Sequence, residues 1–387
     1  VGYDLTDVSD LGTFMRRLNH ALATIHVPLL EDSRRPVAAM ATISDTHPDI
    51  DAFLALDRSG TPLITRSLWI TREMIQGHEG LELTGNLGLI RQVAESIHDS
   101  GNPGILFRKR FDDANPTPEA PFVSTAPCGE VALAPNDFCH IGYISLPSFV
   151  SSSGLFDFER LDHVVRLLTR GLDDCVELSC GTYLPSTRLP VPRYRRISIG
   201  STGYADALKL LGFRYGSPES LHFASSVAEA IDYSSKVESV QLARDRGPFP
   251  GFAKSRYTDA SWLPSQRIGR RPYAPRNDWA ALADAIACEG IRNATTTAMP
   301  SAETASAYLG VNPTLEPHEY RIPNRKSRVT TTDELNVMAV FQPWLDGAIS
   351  KTLTVSSKTT AEKIASLLFE AYDLGLKGIS IFRSAHG

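Results

Sequence analysis

The sequence predicts an α/β fold built on parallel strand pairs. Segments rich in β-branched and aromatic residues alternate along the chain with segments whose apolar residues recur at helical spacing. At 387 residues the chain is long enough to bury a sizeable core. Its 42% hydrophobic and 21% charged residues are those of an ordinary globular protein, so that core can be apolar.

Taken in order, residues 11–26 place Leu11, Phe14, Met15, Leu18, Leu22 and Ile25 on one helical face. A basic loop at 31–36 leads into an apolar strand, and Thr46 or His47 is expected to cap a helix with Pro48 in its first turn. Residues 63–70 read as a strand, 86–99 as a helix closed by S-G-N-P-G, and 105–107 as a short strand. I-G-Y-I-S-L, from 141, is a strand ending before Pro147; 155–178 is a long amphipathic helix. Residues 195–212 run from strand to helix, and Gly200 and Gly203 there allow a nucleotide loop or close strand–helix packing; without the full dinucleotide fingerprint, packing is the expectation. Helices are expected at 218–245, 278–289, 333–348 and 359–374, with Thr360 near the start of the last. Residues 253–277, polar and rich in Arg, Pro and Ser, read as an irregular loop, and L-K-G-I-S-I-F-R closes the chain as a strand.

A net charge of −5 gives no reason to expect nucleic acid or an anionic membrane as partner. No run of about 18 apolar residues is present, and the acidic start V-G-Y-D-L-T-D does not read as a signal peptide. Five cysteines (Cys128, Cys139, Cys175, Cys180, Cys288) without a CxxC pair point to free thiols in a cytoplasmic protein, with neither a disulfide scaffold nor a metal site.

Two stretches carry chemistry. S-T-A-P-C-G-E at 124–130 sets Cys128 two residues before Glu130 in a loop marked by Pro127 and Gly129. A lone loop cysteine is more often structural than reactive. A nearby carboxylate raises a thiol's pKa, so the pair suits a neutral thiol that gives up a hydrogen atom beside a base, rather than a thiolate nucleophile. In A-M-P-S-A-E-T-A-S, small and hydroxyl residues enter a helix after Pro300. This is either a phosphate site at the positive end of the helix or simply a Ser/Thr-capped helix.

Further stretches stand in a telling order: R-R-P-V-A-A-M with T-H-P-D-I at 34–50, G-N-P-G-I-L-F at 101–107, T-A-P-C-G-E at 125–130, C-H-I-G-Y-I-S-L at 139–146 and R-R-I-S-I-G-S-T-G-Y-A-D-A-L at 195–208. R-G-P-F-P at 246–250, R-N-A-T with M-P-S-A-E-T-A at 292–305, L-E-P at 315–317, Q-P-W-L-D-G-A-I-S-K-T at 342–352 and G-L-K-G-I-S-I-F-R at 375–383 follow. In this order they resemble the catalytic subunit of ribonucleotide reductase over nearly the whole chain. The P-C-G-E and A-I-S-K-T forms, and Ile381–Phe382 where class I enzymes carry a tyrosine pair, resemble the class II, adenosylcobalamin-dependent type.

The resemblance implies a ten-stranded α/β barrel with a central finger loop, incomplete because the first strands are missing, and one barrel domain over residues 1–387. It implies that Cys128 bears a thiyl radical, that Glu130 accepts the 3′-hydroxyl proton and that Cys139 is half of the reducing dithiol. Ser301, Ala302, Glu303, Thr304 and Ala305 would bind substrate phosphates, and Arg34, Arg35, Pro36 and Val37 would lie in an effector-linked loop. A ribonucleoside di- or triphosphate substrate, a nucleotide effector, and a homodimer or a complex with a chain supplying the N-terminal part are implied as partners.

Departures accompany the match. Ala126 stands where the family has a ribose-binding Asn, Arg66 where an Asn is usual, and Pro36–Val37 where the family favours glycine. Glu303 puts a carboxylate in the phosphate segment, and the match begins after the strand that carries the partner of Cys139. Three readings follow: a reductase, a diverged radical enzyme acting on a nucleoside or sugar without net reduction, or a non-catalytic nucleotide-binding or regulatory subunit.

Overall fold

A computed structural model describes residues 1–31, 38–56, 61–71, 86–179, 185–268, 273–317 and 329–384. In chain order the elements begin with β1 (Gly2–Asp4), α1 (Leu11–Glu31), β2 (Ala39–Ser44), α2 (Ile50–Leu54), β3 (Ile64–Ile70), α3 (Asn86–Ser100), β4 (Gly104–Phe107) and α4 (Arg108–Ala114). The short strands β5 (Ser124–Thr125) and β6 (Ala132–Leu133) precede β7 (His140–Ser145), α5 (Phe158–Ser179), α6 (Pro190–Tyr194), β8 (Ile197–Thr202) and α7 (Tyr204–Leu211). Then come α8 (Pro218–Arg246), α9 (Trp262–Arg267), α10 (Trp279–Glu289), α11 (Glu303–Leu309) and α12 (Thr331–Phe341). β9 (Thr352–Val355), α13 (Ala361–Asp373) and β10 (Gly378–Arg383) end the chain.

Tertiary contacts divide the chain into two units. Unit 1 is Val1–Phe111, Val123–Ala132 and Thr352–Gly387; unit 2 is Asp112–Phe122 and Leu133–Lys351. Unit 1 is a six-stranded sheet in the order β1-β2-β3-β4-β10-β9. Every neighbouring pair is parallel except β10–β4. The central strands β2, β3 and β4 are nearly continuous in burial, as parallel strands covered on both faces are; Ile43, Leu68, Ile105 and, on β10, Ile379 are all core. Helices α3 and α13 pack on each other and on β10.

Unit 2 centres on the parallel pair β7–β8, registered from His140↔Ile197 to Ser145↔Thr202. Single parallel bridges Ile199↔Thr297 and Met299↔Ile349 extend it sideways into two further extended segments. Helix α8 has its start set by Ser217, whose side chain accepts from the Ser220 N–H, and by Pro218, and its end by Gly247 at φ +83°. Along α8 the buried side includes Asp232, Ser235, Lys236 and Ser239, so polar partners are required inside unit 2. Lys236 Nζ bonds Asp232 (2.5 Å), both carboxylate oxygens of Asp346 (3.0 and 3.1 Å) and Thr296 Oγ1 (3.1 Å). Arg267 closes the ring to Asp232 and Asp346, both at 2.5 Å. Burial alone would raise the Asp346 carboxyl; Lys236 and Arg267 outweigh it and hold the group well below the usual carboxylate range.

The alternation of helices and parallel strands is as expected. The ten described strands, however, fall into three sheets of six, two and two strands. These pairings alone do not make up the expected ten-stranded barrel. The helix expected from Thr46 or His47 starts instead at Ile50 behind Asp49, because His47 Nδ1 accepts the Asp49 N–H (3.0 Å) and Thr46 pairs with Ser44 (2.8 Å). The helix expected over 333–348 ends at Phe341 and tightens into a 3-10 turn at Gln342–Trp344, where Pro343 has no N–H to continue it. Nor is 253–277 irregular up to 268: it holds 3-10 turns at Phe252–Lys254 and Arg256–Thr258 and the helix α9, ordered by buried Tyr257, Leu263 and Arg267. Among the described residues no helix is long and apolar enough to cross a membrane.

Candidate active site

In unit 1 the stretch 124–130 is a tight hairpin between β5 and β6. Ala126 N–H donates to Val131 O (2.8 Å), and Gly129 N–H returns to Ala126 O (2.9 Å). Gly129 sits at φ +83°, a conformation that favours glycine, and a Cβ there would lie 3.5 Å from Leu106. Neutral donors from the sheet hold the loop: Thr42 Oγ1 to Ser124 Oγ (3.1 Å), Thr65 Oγ1 to Pro127 O (3.1 Å) and Trp69 Nε1 to Val123 O (3.3 Å). Gly2 has no room for a side chain, since a Cβ would come within 2.1 Å of Thr125 O.

The hairpin separates Cys128 and Glu130 by environment. Cys128 is exposed at the turn, whereas Glu130 is 4% exposed. An accessible thiol beside a buried carboxylate suits hydrogen-atom transfer at sulfur and proton acceptance at oxygen. Ala126 is half-buried at the base of the turn and offers no side-chain hydrogen bond. Arg66 is buried on β3, its guanidinium donating to Phe53 O and lying 5.7 Å from the Phe53 ring.

Cys139 and residues 301–305 belong to unit 2, whereas Cys128 and Glu130 belong to unit 1. Cys139 is buried just ahead of β7, with Sγ 3.6 Å from His140 O. A Cβ on Gly142 would lie 2.9 Å from Leu168 of α5, so that side of β7 faces the helix. By alternation Ile141, Tyr143 and Ser145, and Cys139 one residue back, point to the other side. Gly200, in register with Tyr143, confirms what covers it: a Cβ there would meet Pro300 Cδ at 2.6 Å and Ala298 O at 2.8 Å. Close packing, not a nucleotide loop, therefore explains Gly200. The Pro300–Ser301 segment covers the Tyr143–Gly200 face of β7–β8, and Cys139 directly precedes β7. Ala302 precedes α11 with no side-chain cap; Ala302 is buried, Ser301 and Ala305 are half-buried, and Glu303 and Thr304 are exposed. Arg34, Arg35, Pro36, Val37 and Cys180 lie outside the described residues, and Cys175 and Cys288 are exposed free thiols.

The family model for the ribonucleotide reductase barrel domain matches residues 86–336 and 327–382. The chain belongs to the ribonucleotide reductase family. It is 26% identical over 426 residues to a vitamin B12-dependent ribonucleoside-diphosphate reductase of Mycobacterium tuberculosis (strain CDC 1551 / Oshkosh), covering 96% of this chain and 59% of that protein. A Thermoplasma acidophilum protein of the same description is 25% identical over 409 residues, covering 91% of this chain and 52% of its own length. A ribonucleoside-diphosphate reductase large subunit of Danio rerio is 27% identical over 245 residues, 60% of this chain and 30% of that protein. The chain thus spans between half and three-fifths of the vitamin B12-dependent relatives.

Membership accounts for stretches whose individual residues carried no assigned role. Lys351 of A-I-S-K-T is buried and bonds Glu316 of L-E-P (3.0 Å) and Glu334 (2.5 Å). Asn293 of R-N-A-T donates to Asp173 Oδ1 and Arg195 O, both at 3.0 Å. Asp346 of Q-P-W-L-D-G belongs to the Lys236 cluster. Within unit 2 of this ribonucleotide reductase relative, several shared stretches are thus joined by buried polar bonds. The i,i+4 spacing of Asp232 and Lys236 was the one visible sign in the sequence.

Proposed function

We propose that this chain carries the radical-bearing barrel of an adenosylcobalamin-dependent ribonucleotide reductase, which converts ribonucleoside 5′-phosphates to 2′-deoxyribonucleotides. The observation that carries the reading is the hairpin: an exposed Cys128 thiol and a buried Glu130 carboxylate on one tight, sheet-anchored turn. A cofactor acting on Cys128 requires an accessible sulfur, and the exposed turn fits that requirement. Cobalamin is further supported by the names of two relatives and by Ile381–Phe382, neither of which can relay an electron as tyrosine does. When bound, adenosylcobalamin supplies a hydrogen-atom acceptor through homolysis of its cobalt–carbon bond.

The chain's own residues do the rest. Cys128, as a thiyl, takes the 3′ hydrogen of the ribose and returns one at the end. Glu130 accepts the 3′-hydroxyl proton, so that the 2′-hydroxyl can leave as water. Cys139 supplies one sulfur of the dithiol that gives two electrons and becomes a disulfide; the net change is ribonucleotide plus dithiol to deoxyribonucleotide plus disulfide plus water. Ser301–Ala305 hold the 5′-phosphates. A ten-stranded α/β barrel, a nucleotide effector, a homodimer and a cytoplasmic location belong to the same proposal.

The test is an assay with adenosylcobalamin, the four ribonucleoside diphosphates and their triphosphates, and an external dithiol, comparing wild type with Cys128→Ser. Cobalt–carbon cleavage and deoxyribonucleotide formation are expected in wild type, with product formation at least about 10³-fold slower in the variant. Cleavage without deoxyribonucleotide would leave radical chemistry without reduction. No cleavage under any condition sinks the enzyme reading of this chain.

A further inference from the structure

The phosphate segment is held from behind by two hydroxyls. Tyr143 Oη on β7 donates to Ser301 O at 2.5 Å. Thr314 Oγ1, buried at 3% exposure, donates to Pro300 O at 3.1 Å. Thr314 keeps this contact at φ +47°, a backbone conformation that costs a β-branched residue energy and persists only where the surroundings impose it. Its N–H is within 3.3 Å of Thr202 Oγ1, which ties it to the end of β8. Gly200 leaves the gap through which Pro300 approaches the strand and Tyr143 reaches past it.

A trans peptide points its C=O and its N–H in opposite directions. Fixing the carbonyls of Pro300 and Ser301 toward Thr314 and Tyr143 therefore turns the N–H groups of Ser301 and Ala302 the other way. Among the described residues neither N–H has an acceptor, and Ala302 is 1% exposed. Ser301 is half-buried, whereas Ala302 is buried, and a buried main-chain donor without a protein partner is rare and is met by water or a ligand.

We propose that Tyr143 is a positioning residue for the substrate's 5′-phosphate, acting with Thr314. Their hydroxyls set the two peptide planes whose amides receive the phosphate oxygens, and neither touches the substrate. The inference rests on the reading of 301–305 as the phosphate segment. It adds that the segment's grip is set from β7, the strand that Cys139 directly precedes.

The test measures equilibrium binding of each ribonucleoside 5′-diphosphate and of its parent nucleoside to wild type, Tyr143→Phe, Thr314→Val and Thr314→Ser. Tyr143→Phe and Thr314→Val are expected to weaken the diphosphates roughly five- to tenfold, the value of one hydrogen bond. Nucleoside affinity should not change, and Thr314→Ser, which keeps the hydroxyl, should bind as wild type does. Unchanged diphosphate affinity in both hydroxyl-deleted variants overturns the proposal. So does an equal loss for nucleoside and diphosphate, which would mark a general structural role. A wild-type protein that does not prefer diphosphate over nucleoside fails earlier and separately: it removes the phosphate segment itself.

Discussion

In unit 1 the stretch Ser124–Glu130 hangs on neutral hydrogen bonds from Thr42, Thr65 and Trp69, whereas in unit 2 Asp232, Lys236, Arg267 and Asp346 are bound to one another out of water. Each neutral bond can be lost without leaving a charge stranded, so the loop can be perturbed while its unit stays folded. The ion cluster has no such latitude. Two cations balance two anions, and removing any one leaves a buried net charge. Unit 1 thus presents Cys128 on a lightly tied hairpin, and unit 2 has its buried ion pairs at Asp346 and beside Thr296 and Thr297. The contrast can be broken from either side.

The largest effect is expected in the cluster. Lys236→Met keeps the volume but leaves Asp232 and Asp346 facing Arg267 alone, and should destabilise the protein by about 3–5 kcal/mol. Denaturant unfolding reads this out, and adding Asp232→Asn to Lys236→Met should recover much of the loss by restoring neutrality. If Lys236→Met costs under about 1 kcal/mol, the charges are not what holds unit 2 together.

The same cluster should appear in the acid limb of stability. Asp346 has its carboxyl pKa depressed in the fold, by Lys236 and Arg267 against the opposing push of burial. A depressed carboxyl contributes stability that is full above its unfolded value of about 3.9 and is lost as pH falls below it. The free energy of unfolding should therefore decline as pH falls from about 4, and the decline should be shallower in Asp346→Asn. Equal slopes in the two proteins would remove Asp346 from the acid response.

How much of this was legible in the sequence depends on how local each signal was. The start of α13 was legible because Thr360 acts within one turn, and it does accept from the Lys363 N–H (3.3 Å); α8 begins at Pro218, where the helix was expected. The end of α12 was not legible from the apolar pattern of 333–348; it comes from Pro343, which turns the chain into the 3-10 turn at Gln342–Trp344. The polar composition of 253–277 concealed Tyr257 and Leu263, and Arg267 became a core residue only through partners 35 and 79 positions away. At the site, spacing placed Cys128 and Glu130 in one loop but could not show that one is exposed and the other buried. That difference comes from Gly129 and from the sheet beneath the hairpin. Tyr143 looked like an ordinary strand residue until the register with Gly200 placed Pro300 beside it.

The smallest effect on stability, and the sharpest test of the contrast, is expected at Thr65. Its hydroxyl is shared between Pro127 O (3.1 Å) and Ala39 O (3.0 Å), and Pro127 directly precedes Cys128. Thr65→Val keeps the shape and removes the donor at an exposed position, so stability should fall by no more than about 1 kcal/mol. The hairpin, however, loses the tie nearest the Cys128 sulfur, and if Cys128 is the radical site proposed above, small misplacements of it are costly in rate. Turnover in the ribonucleotide assay should therefore drop about tenfold or more while the unfolding midpoint barely moves, the reverse of Lys236→Met in unit 2. Were turnover and stability to fall together in Thr65→Val, the loop would be as tightly coupled to its sheet as the ion cluster is to its helices. The hairpin would then be part of the scaffold rather than a lightly held carrier of Cys128.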